Sequence, residues 1–140
     1  MRSPDQLILD YIDCWQRQDT AGLVALFAPD GQYTDPTLLN MPIERDKLAS
    51  HAQAFFDAVP DLNFEIIQHG AAGADSAALR WVMRGKQTGP LGPLPPKGGR
   101  LAIPGCDFLR ARDGLIVDVV VMFDQKLFLE QAGYVVEIRP

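Results

Sequence analysis

At 140 residues the chain is long enough to bury one core and too short for two, so it reads as one domain over 1–140. A composition of 47% hydrophobic and 22% charged residues is that of an ordinary globular protein. A formal charge of -5 argues against nucleic acid and against anionic membrane surfaces, which need a basic patch.

The opening "MRSPDQLILDYIDCW" carries acids inside its apolar stretch and does not read as a signal peptide. No run approaches the ~18 apolar residues of a membrane span, so a cytoplasmic location is the default expectation. Ser3 or Asp5 starts a helix reaching about Gln18, with Leu7, Ile8, Tyr11, Ile12 and Trp15 at helical spacing. Asp19 or Thr20 caps a short second helix carrying Leu23, Val24, Leu26 and Phe27. Asp30-Gly31 reads as a turn into a short strand from Gln32 to Asp35. A third helix is expected from about Glu44 to Ala58, with Leu48, Ala52, Phe55, Phe56 and Val59 facing inward.

Past Asp61 the period changes from helical to alternating. "LNFEIIQH", "SAALRWVMRGKQT", "GRLAIPGCDFLRAR" and "GLIVDVVVMFD" read as four long strands, the last two joined by a tight Asp113-Gly114 turn. The Pro/Gly-rich stretch "GPLGPLPPKGG" between the second and third of them suits a semi-rigid loop. A last helix, "QKLFLEQAG", ends on Gly133 as its C-cap. Helices followed by an antiparallel meander predict an α+β fold, with helices packed on one face of a curved sheet around an apolar pocket.

Several chemistries lack their motif. His51 and His69 stand in no metal-binding spacing, Cys14 and Cys106 make neither a disulfide framework nor a cluster, and no P-loop, GxGxxG or GxSxG run is present. Neither a metal nor a cofactor is expected on these grounds. What remains is a tyrosine and several carboxylates among apolar neighbours. Tyr11 shares a helix face with Leu7 and Trp15 and is either a core tyrosine or a donor into a pocket. Asp35 ends a strand on the same face as Tyr33 and is either a turn residue before Pro36 or a carboxylate held at a pocket. Asp107 alternates with Leu109 and Ala111, opposite Arg110 and Arg112, which points it inward if that face is the core. Asp124 shares a face with Met122, Val120 and Asp118 and is either catalytic or the cap of the final helix. His51, one turn from Leu48 and Phe55, reaches toward the pocket rim, while Trp15, Phe55, Phe56, Trp81 and Phe108 serve as core or pocket wall.

The run "DYIDCWQRQDTAGLVALFAPDGQYTDP" resembles the opening of the superfamily of nuclear transport factor two, ketosteroid isomerase and SnoaL-like polyketide cyclases. The second half, "GPLGPLPPKGGRLAIPGCDFLRARDGLIVDVVVMFDQKLFLEQAG", is similar to the SnoaL-like branch. The resemblance implies a cone-shaped α+β barrel, a homodimer, and cofactor-independent acid/base chemistry on a small hydrophobic carbonyl compound. It implies Tyr11 as an oxyanion donor, Asp35 as general base and Asp107 as a protonated acid completing the oxyanion hole. From the cyclase branch, Asp124 matches an acid/base aspartate. A substrate-binding wall of Trp15, Tyr33, His51, Phe55, Trp81, Phe108 and Met122 would surround them. Two departures stand out: Thr37-Leu38 where isomerases carry Val-Gly, and Gly85-Lys86-Gln87 where SnoaL-like chains often carry Gly-Thr-His. Alternatives from the same fold are a non-catalytic ligand-binding or dimerisation module, and an epoxide hydrolase or epoxide-opening cyclase using Arg80 or Arg84.

Overall fold

The structure, a computed structural model, describes residues 1–139. Helix α1 (Pro4–Arg17) begins where Ser3 Oγ accepts the Gln6 N–H at 3.1 Å, with Pro4 at the head of the helix and Asp5 in its first turn. Its buried stripe is Leu7, Ile8, Tyr11, Ile12 and Trp15, as the spacing predicts. Asp19 caps α2 (Thr20–Ala25) by accepting the Gly22 N–H at 2.9 Å.

Strand β1 (Phe27–Thr34) starts earlier than the expected 32–35 segment. Phe27 already pairs with Ile116 and Gln32 with Asp118, so the residues between them bulge and Asp30-Gly31 lies inside an irregular strand. Only glycine fits there, because a Cβ on Gly31 would lie 2.9 Å from the Ile116 carbonyl oxygen. After a 3-10 turn (Pro36–Leu38), β2 (Ile43–Glu44) adds an edge too short to carry a periodic signal. Helix α3 (Arg45–Ala58) buries Leu48, Ala52, Phe55 and Phe56.

The four long strands are β3 (Asn63–Ala71), β4 (Ser76–Lys86), β5 (Arg100–Arg112) and β6 (Leu115–Phe123), followed by α4 (Gln125–Ala132). Asp113 and Gly114 turn β5 into β6 with φ of 53° and 73°, the left-handed pair a two-residue hairpin demands. The six strands form one sheet in the order β2-β1-β6-β5-β4-β3. Only β1 and β6 run parallel; every other neighbouring pair is antiparallel. The fold is therefore α+β, with the N-terminal helices packed on a mixed, mostly antiparallel sheet.

Alternation decides what faces the helices. Leu79, Trp81 and Met83 of β4, Ile103, Asp107 and Leu109 of β5, and Val119 and Val121 of β6 are buried. The opposite face exposes Phe108 (46%) and Met122 (54%), so these two, expected in the pocket wall, lie outside it. Arg80 and Arg84 are also exposed, and Arg84 pairs with Glu65 at 3.0 Å. The Pro/Gly-rich loop is fastened at both ends. Thr88 and Gly89 donate to the Ala58 carbonyl, each at 3.0 Å. Gln87, fully buried, donates to the Gly89 carbonyl at 2.9 Å and to the Tyr134 hydroxyl at 2.8 Å, and that hydroxyl donates to the Pro95 carbonyl at 2.5 Å. Among the described residues no helix is long and apolar enough to cross a membrane.

Candidate active site

Strand β6 brings two distant carboxylates to one place. Thr34 pairs with Val120 on one side of β6, so Asp35, the next residue, comes level with Val121; Asp107 pairs with Val121 on the other side. Adjacent strands lie about 4.8 Å apart, so the two backbones are roughly 10 Å apart with both side chains on the helix-covered face. Both are buried, each 2% exposed.

Asp35 accepts four hydrogen bonds. Oδ1 takes the Thr37 N–H at 2.7 Å and the Thr37 hydroxyl at 2.5 Å; Oδ2 takes the Tyr33 hydroxyl at 2.7 Å and His51 Nε2 at 2.8 Å. Pro36 shapes the turn that returns the Thr37 N–H to the carboxylate. Burial works to raise the Asp35 carboxyl, but the bond and charge from His51, with the bonds from Thr37 and Tyr33, outweigh it and hold it below the ordinary value. Asp35 is an anion.

Asp107 has the opposite fate. It accepts a single hydrogen bond, from Trp81 Nε1 at 3.0 Å. Burial dominates, and despite the Trp81 bond it pushes the carboxyl up to about 7, with the charge of Asp35 acting in the same direction. Near neutral pH a large part of Asp107 is therefore a neutral acid that can donate. Burial, and next the charge of Asp107, push the Tyr11 hydroxyl well above its ordinary value, so it remains a phenol. Burial and the nearby Tyr11 and Asp35 do the same to Tyr33. Trp15 adds a buried indole N–H with no hydrogen-bond partner.

These groups line two adjoining spaces. The inner chamber is walled by Tyr11, Trp15, Tyr33, Asp35, Phe55, Trp81 and Asp107, with Ile12, Phe64, Met83, Val121 and Phe123 completing it; its free volume is about 30 Å³, the share of one water. The outer chamber, about 360 Å³, lies between Thr37, Leu38, His51, Ala54 and Phe55 on one side and Phe128 and Leu129 of α4 on the other, roofed by residues 90–94. Phe55 lines both. A drug-sized ligand fits only the outer space as it stands.

Of the residues singled out in the sequence, Tyr11, Asp35, Asp107, Trp15, Tyr33, Phe55 and Trp81 meet in the inner chamber, and His51 stands at its border with the outer one. Asp124 does not join them. It is exposed, and its Oδ1 accepts the Leu127 N–H at 3.0 Å as the cap of α4. Asp118 shares the outer face with Met122, which leaves Val121 and Phe123 of β6 for the chamber. Sequence reasoning missed Thr37 as a partner of Asp35, and it missed Phe64, Met83, Phe123 and Phe128 as walls. Their alternation with exposed residues was the available signal for Met83 and Phe123. Among the described residues no three His, Cys, Asp or Glu side chains are placed to hold a metal ion.

A mixed sheet closed by helices over an apolar chamber, with a few buried polar groups converging, is the ketosteroid isomerase-like fold. More particularly, the chain belongs to the SnoaL-like domain family, whose profile matches residues 8–119. Among solved structures, a candidate polyketide cyclase from Pseudomonas putida superposes with a TM-score of 0.83 at 16% identity, over 95% of this chain and 100% of that one. IdmH from Streptomyces antibioticus, also described as a candidate polyketide cyclase, gives 0.79 at 24% identity over 95% and 100% of the two chains. A Catenulispora acidiphila protein of ketosteroid isomerase-like fold, solved with trimethylamine, gives 0.78 at 20% identity over 99% and 100%. At these identities the likeness is one of fold. No curated protein matches the sequence.

Proposed function

We propose that this SnoaL-like chain is a cofactor-independent acid/base enzyme that enolises a small hydrophobic carbonyl compound. The enolate then either attacks a second carbonyl of the same molecule, as in an aldol cyclisation, or is reprotonated elsewhere to shift a double bond. One observation carries the reading: Asp107, pushed up to about 7 by burial, and Asp35, held below its ordinary value by its four hydrogen bonds, line the same chamber as the Tyr11 hydroxyl. Two carboxyls with opposite protonation are what enolisation needs, a donor for the oxygen and an anion to balance the proton acceptor. The substrate oxygen would accept from Tyr11 and Asp107 as charge grows on it. Each such donor is typically worth about 3–4 kcal/mol to the transition state. The test is turnover of a panel of enones and 1,5-diketones; Asp107→Leu and Asp35→Asn both retaining full turnover of the best substrate would rule the assignment out.

A second reading, a ligand-binding module without turnover, draws on the inner volume of about 30 Å³, which admits no substrate without rearrangement. The same panel separates the two, since a module would bind and release its ligand unchanged. The epoxide reading loses its arginine, because Arg80 and Arg84 lie on the exposed side of β4. A homodimer through the outer sheet face is supported by Ile67, Phe108 and Met122, exposed by 43%, 46% and 54%. Light scattering of wild type against Phe108→Lys decides that point.

A further inference from the structure

We infer that the proton acceptor of this site is Nδ1 of His51, and that Asp35 is its positioning residue rather than the general base. The inference rests on the enolisation reading above and concerns which atom takes the proton.

An ionised carboxylate offers about four lone-pair positions. In Asp35 the Tyr33 hydroxyl, the Thr37 hydroxyl, the Thr37 N–H and His51 Nε2 take all four. A substrate C–H therefore meets no free lone pair on Asp35, and using one would break a buried, charge-assisted bond first. The carboxylate can only accept, so His51 Nε2 carries the hydrogen of that contact. In the neutral ring Nδ1 then holds the lone pair. Among the described residues nothing bonds to Nδ1. It is not among the buried unpartnered atoms, and the side chain is 16% exposed on the wall of the outer chamber.

The placement suits a mono- or bicyclic apolar carbonyl compound. Its rings would lie in the outer chamber between Phe55, Leu91 and Phe128, and its oxygen would point past Phe55 toward Tyr11 and Asp107. In the step itself the α-proton moves to His51 Nδ1 and the C–H electron pair becomes the enolate. The imidazolium so formed is balanced by the Asp35 anion. Thr37 and Tyr33 fix the carboxylate, which fixes the ring.

Two experiments test this. The first is α-deuterium exchange of 2-tetralone in D2O, followed by NMR. We expect exchange above the buffer rate in wild type, a loss of about 100-fold or more in His51→Gln and His51→Ala, and partial recovery of His51→Ala on adding imidazole. Asp35→Asn should also lose rate but gain nothing from imidazole, because its own ring is present and misplaced. His51→Ala within threefold of wild type, with Asp35→Asn inactive, would make Asp35 the base and overturn the inference alone. Exchange no faster than buffer in wild type would overturn the enolisation reading. The second experiment does not depend on turnover. Treatment with 2-bromoacetophenone, in which a nitrogen lone pair displaces bromide to form a C–N bond, should alkylate His51 well ahead of His69, as mapped by mass spectrometry on protein whose free thiols, Cys14 and Cys106, are blocked first. An ester on Asp35, or labelling of His51 no faster than the exposed His69, would overturn the placement of Nδ1 whatever the exchange shows.

Discussion

Asp35 and Asp107 stand on opposite sides of Val121, facing one chamber, and their carboxyls are shifted in opposite directions because one collects four hydrogen bonds and the other a single one. Burial penalises both anions alike; the number of donors aimed at each decides which ionises.

That contrast has opposite consequences for stability. Asp107 is raised, so between about pH 4 and its folded value of about 7 the native chain holds a proton that the unfolded chain has released. Stability from this group therefore falls as pH rises through that window and is level above it, by up to about 4 kcal/mol. Asp35 is lowered, so its contribution is present above about pH 4 and is lost as pH falls through its folded value. Urea unfolding of Asp107→Asn between pH 4.5 and 8 should show the first slope removed, the variant gaining on wild type as pH rises.

Tyr11→Phe leaves the ring that packs against Trp15 and Phe27, with centroids 6.4 Å away in each case, and removes only the donor. The fold should survive with a loss of about 1 kcal/mol or less, while turnover falls about 100-fold or more. Thermal melts and steady-state rates on one substrate check the pair of effects.

Thr37→Val deletes the 2.5 Å hydroxyl bond to Asp35 and keeps the backbone N–H. A hydrogen bond to a charged group is worth about 1.5–3 kcal/mol, so the Asp35 carboxyl should titrate at higher pH and the protein should melt earlier. Carbon-detected NMR of the Asp35 side chain reads the shift directly.

Asp124→Ala should cost about 1 kcal/mol, and Asp124→Asn only a few tenths, since asparagine caps as well as aspartate. Neither should change turnover by more than about twofold, because the side chain stands on the α4 cap outside both chambers. A large loss in Asp124→Asn at unchanged stability would return that residue to the chemistry.

Gln87→Ala removes a fully buried donor and leaves the Gly89 carbonyl and the Tyr134 hydroxyl short of a partner. A cost of about 1–3 kcal/mol is expected, with faster amide exchange at residues 89–94, which roof the outer chamber. Hydrogen-exchange mass spectrometry of that segment is the check.

Local patterns determined much of this protein. Ser3, Asp19 and Gly133 mark helix ends through side-chain or backbone bonds made within a few residues, so they are legible in order along the chain. Strict alternation turned Asp107 inward with Leu109, while Phe108 and Met122, expected in the pocket wall, stand on the exposed face of the sheet. The tertiary structure alone decided the rest. His51 reaches Asp35 because α3 packs beside the end of β1, and Asp35 faces Asp107 because β6 lies between two strands far apart in the chain. The bulge in β1, which no periodicity foretells, sets the register that brings Asp35 level with Val121. Charge state and chamber volume follow from those long-range contacts. A carboxylate's ionisation depends on which donors reach it in space, and no spacing along the chain records that distance.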